Sequence, residues 1–550
     1  MTSSLLRGRP RRSASHISVR VAHAALGGAV GVVWLVLPGM TSGADAPVAI
    51  KGPTPAASAA VAQEDERSTV DLVLPLAAVA VAGTVAGYAY IRRVRRTRDR
   101  TTPGGTGSPP PRTSSPPLAV PDEQACAALV AADNRMRAAR AELGFAEALF
   151  GAEAVAEFRR AVREAEHELA AAFRMRQRYD EGVPAEAAAR GHALAGIVGR
   201  CEEAGRRLDA VADDFQRLRG LEHGGLGEAL GVAEGRFREL AGRAGASEAV
   251  LAGLRTRYAP TATASVTGNV EQAKDRLVFA TSLLNEARQS ADSGRPEQAA
   301  RHLRAAEGAV DQAAVLVEGV DRLAAQLRTA EQTVPAALTG AETELSWIRD
   351  QEQNRERQRG RERDQEQERA AGGAAPARQT THDLAATPPG ELHSRLAHAD
   401  AVLASVRQEL TRGQLHDPVG VLRRIVRATA PVASGRAGVL PAAALLTARV
   451  AVAAAADFVA THRGAVGAAA RTRLAEAERL LATGDPADRP PADALALEAR
   501  ELAELDVRAH GNPYAGPGAA GVGGAVLGGI VPAEDPGSGT PPGFAGPAPG

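Results

Sequence analysis

Residues 296–330 read PEQAARHLRAAEGAVDQAAVLVEGVDRLAAQLRTA, and their spacing decides the fold class. Ala299, Leu303, Ala306, Val310, Ala313, Val317, Val320, Ala324 and Leu327 alternate steps of three and four. Such a period lays a narrow apolar stripe along one side of a helix, the pattern of a helix–helix seam. Three earlier segments obey the same rule. Val155, Phe158, Val162, Ala165, Leu169 and Ala172 form one, and Leu194, Ile197, Cys201, Ala204, Leu208, Val211, Phe215 and Leu218 a second. Val270, Ala273, Leu277, Ala280, Leu284 and Ala287 form the third. The breaks between them carry turn residues: Gly182 and Pro184, Gly224-Gly225, Pro260 to Gly268, and Ser293-Gly294-Arg295-Pro296. Asn269 with Gln272 resembles a capping box. Short turns make neighbouring helices antiparallel, so the expected object is all-α, an elongated antiparallel helical bundle of coiled-coil type.

Composition agrees. Of 550 residues 44% are hydrophobic but only 3% aromatic, so the apolar content is mostly Ala, Val and Leu, which suits narrow seams better than broad cores. Lys occurs only at Lys51 and Lys274, and the Arg, Ala and Gly excess reads as a high-GC genome signature. Net charge is zero and opposite charges interleave, which fits solvated helix faces and not a nucleic-acid-binding surface. Two cysteines, Cys126 and Cys201, are too few for a disulfide framework.

The N-terminal region predicts membrane attachment. Residues 1–44 read as a signal peptide: Arg7 to Arg20 are basic, Val21–Leu37 apolar, and small residues lead to a cleavage point near Ala44. An uncleaved first span is the competing reading. Residues 45–69 form a short extracytoplasmic segment, too small for a core of its own. Residues 70–91 hold the clearest span: Leu72 to Ile91 carries no charge over 20 residues, enough for about 30 Å of hydrocarbon. Arg92, Arg93, Arg95, Arg96, Arg98 and Arg100 follow it, so the positive-inside rule puts the remaining chain in the cytoplasm. Gly83 and Gly87 form a GxxxG pair, a candidate helix-dimer seam. The expected location is thus the cell membrane, single-pass, with a large cytoplasmic C-terminal region.

The rest divides into a basic and Pro-rich linker (92–120), a helical coiled-coil region (121–349), a charged low-complexity linker (350–390), a second helical block (391–510) and a disordered Gly/Pro-rich tail (511–550). Residues 350–370, DQEQNRERQRGRERDQEQERA, have no apolar stripe and predict a partial, solvated helix. In the second block Leu422–Val459 is Ala- and Val-rich, but Arg423, Arg424, Arg427, Arg436 and Arg449 argue against another span.

Short stretches resemble the cytoplasmic part of actinobacterial TPM-domain membrane proteins. They are Glu142 to Glu147 with Phe150-Gly151, Ala172 to Arg178, Arg207 to Asp209 with Phe215, Tyr258-Ala259-Pro260, Gly268-Asn269 with Glu271 to Ala273, and Gly511-Asn512-Pro513. Members of that family carry a TPM domain, linked to phosphatase-type activity, between signal peptide and span. Only Asp45–Thr69 stands there in this chain, so the resemblance implies architecture and transfers no catalytic or metal residue.

No nucleotide-binding, zinc-protease, serine-hydrolase or CxxC motif occurs, and the 12 His are scattered. The sequence therefore predicts no catalytic, cofactor-binding or metal residue and no cofactor. The expected function is a membrane-anchored scaffold whose partners are the lipid bilayer and, through the helices, other proteins or a second copy in a homo-oligomer. Nucleic acid is not expected. The alternative is a degenerate relative of TPM-domain proteins acting as a hydrolase or signalling component.

Overall fold

The computed structural model describes residues 119–371, 389–432 and 438–510. The expected signal segment to Ala44, the 45–69 segment, the apolar run with Gly83 and Gly87, the linker to residue 118 and the tail from Gly511 lie outside the described residues.

Every regular element among the described residues is helical. The first four helices are α1 (Ala119–Phe150), α2 (Ala156–Asp180), α3 (Ala187–Asp209) and the short α4 (Ala212–Arg219). Next come α5 (Leu226–Arg257), a 3-10 segment (Pro260–Val266), α6 (Asn269–Asp292) and α7 (Pro296–Ala371). The last group is α8 (Pro389–Thr411), α9 (Pro418–Thr429), α10 (Val439–Thr461), α11 (Ala468–Thr483) and α12 (Arg489–His510), with a 3-10 turn at Pro486–Asp488.

Helix α7 organises the rest. Its 76 residues span about 114 Å at 1.5 Å per residue. It forms a tight hairpin with α6 across Gly294, whose φ of 68° suits glycine, and Pro296 begins the new helix where no N–H is missed. Along its length α7 packs against α6, α5, α10, α9, α8 and α1. The stripe quoted above is the buried side: Ala299, Leu303, Ala306, Ala313, Val317 and Val320 have no solvent exposure. The seam is filled by small side chains, which lets helix axes approach to about 8 Å. Pro335 sits inside α7 on its exposed side, where loss of one backbone hydrogen bond is met by solvent.

Several expectations are corrected in detail. The stripe from Leu194 to Leu218 is one period but two helices, because the chain turns at Ala210-Val211 between α3 and α4. The turn lets Phe215 pack edge-on against Phe158, 5.1 Å between ring centres. Asn269 does not cap α6: Gly268, at φ 82°, stands at the cap, and the Asn269 amide donates to the Leu316 carbonyl at 3.4 Å. The charged run after residue 349 is helical, as expected of residues 350–370, but it joins α7 directly and does not start a separate segment. Arg, Glu and Gln are strong helix formers, so the helix persists without a stripe to bury. Leu345 and Ile348 are its last buried residues.

The two helical regions expected from the sequence pack together: α10 lies against α7, and α11 against α2 and α1. Val439–Thr461, α10, is long and apolar enough to cross a membrane by length and composition, and half of its apolar window is buried among the other helices.

Two substitutions test this packing. Leu303→Ala, at a site with no exposure, should cost about 2–5 kcal/mol in thermal or denaturant unfolding. Gly360→Ala, where an added methyl meets nothing, should stabilise the charged end of α7 by roughly 1 kcal/mol, read as slower local amide exchange with unchanged global unfolding.

Candidate functional site

Three helices each turn one face toward a common cleft of about 440 Å³. From α1 come Asp133, Met136, Arg137 and Arg140; from α2, Glu166, Leu169, Ala170, Phe173 and Arg174; from α11, Arg471, Leu474, Ala475, Glu478 and Arg479. Each set follows steps of three and four, which places its members on one helix side. Glu476 and Ala456 complete the lining.

The floor is a buried ion network. Arg471, 1% exposed, donates from Nη1 to Asp133 and to Asn134 Oδ1 (2.8 Å), and from Nε to the Val466 carbonyl (3.1 Å). Its Nη2 reaches the Arg463 carbonyl. Asp133 also accepts from Arg137 Nε at 3.1 Å. Burial alone would push the Asp133 carboxyl up, but Arg137 and Arg471 outweigh it and hold the group at about 2. The contact joins residues 338 positions apart and locks α11 onto α1. Arg473 adds a second tie, to Gln177 on α2 and Glu498 on α12.

The rim is partly self-paired. Arg140 donates to Glu166 at 2.6 Å, and Arg479 donates twice to Glu476, at 2.8 and 2.6 Å. Among the described residues Arg174 and Glu478 make no hydrogen bond or ion pair. Crowding by the cleft walls raises the Glu478 carboxyl above its ordinary range; Arg137 opposes this, Asp133 adds to it and Arg140 opposes it.

A second polar cluster lies where α10 ends. Asp457 pairs with Arg322 of α7 at 2.5 Å, close to Gly319, where any Cβ would meet the Asp457 carboxylate at 2.9 Å. Phe458 stacks on His462 at 4.2 Å, and the Arg500 guanidinium lies 4.0 Å from the Phe458 ring centre. Burial lowers the His462 pKa, so the ring stays neutral near pH 7. Elsewhere Arg219 and Glu307, each 2% exposed, pair at 2.5 Å between α4 and α7.

Among the described residues no three His, Cys, Asp or Glu side chains are placed to hold a metal ion. Cys201 is buried in its stripe and desolvation pushes its thiol up to about 12; burial raises the half-exposed Cys126 as well. Both are poor nucleophiles. The sequence-derived seam at Gly83 and Gly87 lies outside the described residues. Sequence reasoning missed the cleft because α11 reaches it from some three hundred residues beyond α1 and α2. One signal was present: Arg471 falls in helical phase with Leu474, an unusual place for an Arg unless it meets an acid.

No protein-family model matches the chain, and no solved structure matches it. Two curated relatives are similar: the UPF0603 proteins MT2410 and Rv2345 from two strains of Mycobacterium tuberculosis, each 30% identical over 428 residues, covering 76% of this chain. The chain spans 62% of the length of these relatives. It is thus homologous to actinobacterial UPF0603 proteins over most of its own length.

Asp133→Asn should leave Arg471 buried without a counter-charge and cost about 3 kcal/mol in denaturant unfolding. A carboxyl held down in the fold, at about 2 against 3.8 when free, contributes fully above about pH 4 and loses that contribution as pH falls toward 2. The gap between the parent and Asp133→Asn should therefore narrow across that window in pH-dependent unfolding.

Proposed function

We propose that this chain is a membrane-anchored, non-catalytic scaffold whose helices present a binding surface to protein partners or to a second copy. The observation that carries the reading is the end of α7. After Ile348 the helix continues for 23 residues, and of residues 351–368 all but Glu352 and Gly360 are exposed. A helix with no buried face gains nothing from the bundle's core, and it is laced by charge instead.

The charges are ordered. Asp350 and Glu352 come first, then a mostly basic stretch of Arg355, Arg357, Arg359, Arg361 and Arg363 with Glu356 and Glu362 among them, then Asp364, Glu366 and Glu368. Arg355, Arg359 and Arg363 stand at i, i+4 and i+8 and share one side. Two such helices, staggered, set acid against Arg along their length, which favours a second copy. Over residues 350–369 seven acids stand against six Arg, a net charge of −1 that does not favour nucleic acid.

Attachment rests on Leu72–Ile91 and the Arg cluster after it, which support a single span with the helical region in the cytoplasm; Gly83 and Gly87 would then add a contact within the bilayer. Kinship with the helical part of TPM-domain membrane proteins belongs to the same proposal and is supported by the similarity to the mycobacterial proteins.

Chemical cross-linking of the full chain in lipid discs, read by mass spectrometry, tests this. Links between copies, or to co-purifying proteins, should concentrate in residues 350–371. The triple change of Arg355, Arg359 and Arg363 to Glu should reduce them about fivefold or more, and rising salt should do the same. Cross-links confined within one chain, with no retained partner, would overturn the reading.

A further inference from the structure

We propose that the cleft between α1, α2 and α11 is a binding site for a small organic anion, a carboxylate, sulfonate or phosphate attached to an apolar body. This goes beyond the scaffold reading and does not depend on it.

The volume, about 440 Å³, lies within the range of small-molecule sites. The lining has two characters. Met136, Leu169, Phe173 and Leu474 form its apolar wall, packed so closely that each is only 2–6% exposed. The polar remainder counts five Arg (137, 140, 174, 471 and 479) against four acids (Asp133, Glu166, Glu476 and Glu478), a difference of one positive charge.

What matters is which of these groups already have partners. Asp133 is held by Arg137 and Arg471, Glu166 by Arg140, and Glu476 by both donors of Arg479. Arg471 is saturated by Asp133, Asn134 and two carbonyls. Arg137 uses only its Nε among the described residues, so its two terminal nitrogens remain available. Arg174 is half-buried beside Phe173 and makes no polar contact among the described residues. Against these two donor groups stands one uncommitted acid, Glu478. A guanidinium drawn partly out of water with no acceptor is costly, and its planar fork matches a carboxylate or oxyanion. Cation and apolar wall thus face the same space, and one molecule satisfies both when its acidic group meets Arg174 and Arg137 and its body lies on Phe173.

The test uses the full chain in lipid discs and the probe 1-naphthalenesulfonate, whose charge does not change with pH, measured by equilibrium dialysis against sulfate and 1-naphthol. The sulfonate should bind saturably and at least tenfold tighter than either comparator. Arg174→Ala breaks no hydrogen bond or ion pair among the described residues and should weaken binding about tenfold, while Glu478→Gln removes the one uncommitted acid and should tighten it severalfold. Partition into lipid is the same for all three chains and cancels. Absence of saturable binding, equal affinity in Arg174→Ala, or weaker binding in Glu478→Gln overturns the proposal. Equal binding of sulfate overturns the assigned ligand class.

Discussion

Alanine sets the spacing between these helices, and the rest of the structure follows from that constraint. A seam lined by Ala299, Ala306, Ala313 and their neighbours brings backbones close but buries little surface per residue. At about 25 cal/mol per Å² a methyl contributes far less than a leucine side chain. Stability must then be gathered over length, which is why α7 runs on for 76 residues and meets most of the other helices. The Leu and Val residues inserted at every second or third stripe position, such as Leu303, Val310 and Val317, supply the larger increments.

Close, uniform seams have a weakness: one Ala-rich face fits another almost equally well, so packing alone discriminates poorly between registers. Polar pairs, two of them buried and one half-exposed, answer this. Arg471 with Asp133, Arg219 with Glu307, and Arg322 with Asp457 each join helices far apart in sequence, and each would be left without its counter-charge by a slip of one turn. Such pairs add little net stability, since desolvation offsets much of their attraction, but a mismatched one is heavily penalised. The same logic explains Gly319, whose missing side chain leaves room for the Asp457 carboxylate beside α7.

Much of the helical pattern was legible in the sequence, because apolar period and turn residues are local signals. The stripe of α7 and the Gly294–Pro296 turn could both be read directly. What escaped was decided by geometry or by propensity. The turn between α3 and α4 falls inside an unbroken period, since Phe215 keeps its phase across the break at Ala210-Val211. Helix over residues 350–370 was expected from its charged, stripe-free composition, but its unbroken join to the seam helix was not, because periodicity reports burial whereas Arg, Glu and Gln hold a helix without it. The cleft was illegible for a different reason: Asp133 and Arg471 are 338 residues apart, and their pairing appears only once α11 is laid on α1.

Helix α7 is at once the packed axis of the bundle and its solvated end, with no joint between the two parts. The twenty or so residues past Ile348 reach about 30 Å and carry their own backbone ladder. A load applied at the tip is therefore delivered as torque to the segment near Leu345, where the last buried side chains act as the fulcrum. Any group attached beyond Leu345 would therefore stand off from the packed helices by a distance that the helix itself fixes, like the blade of an oar set in its rowlock.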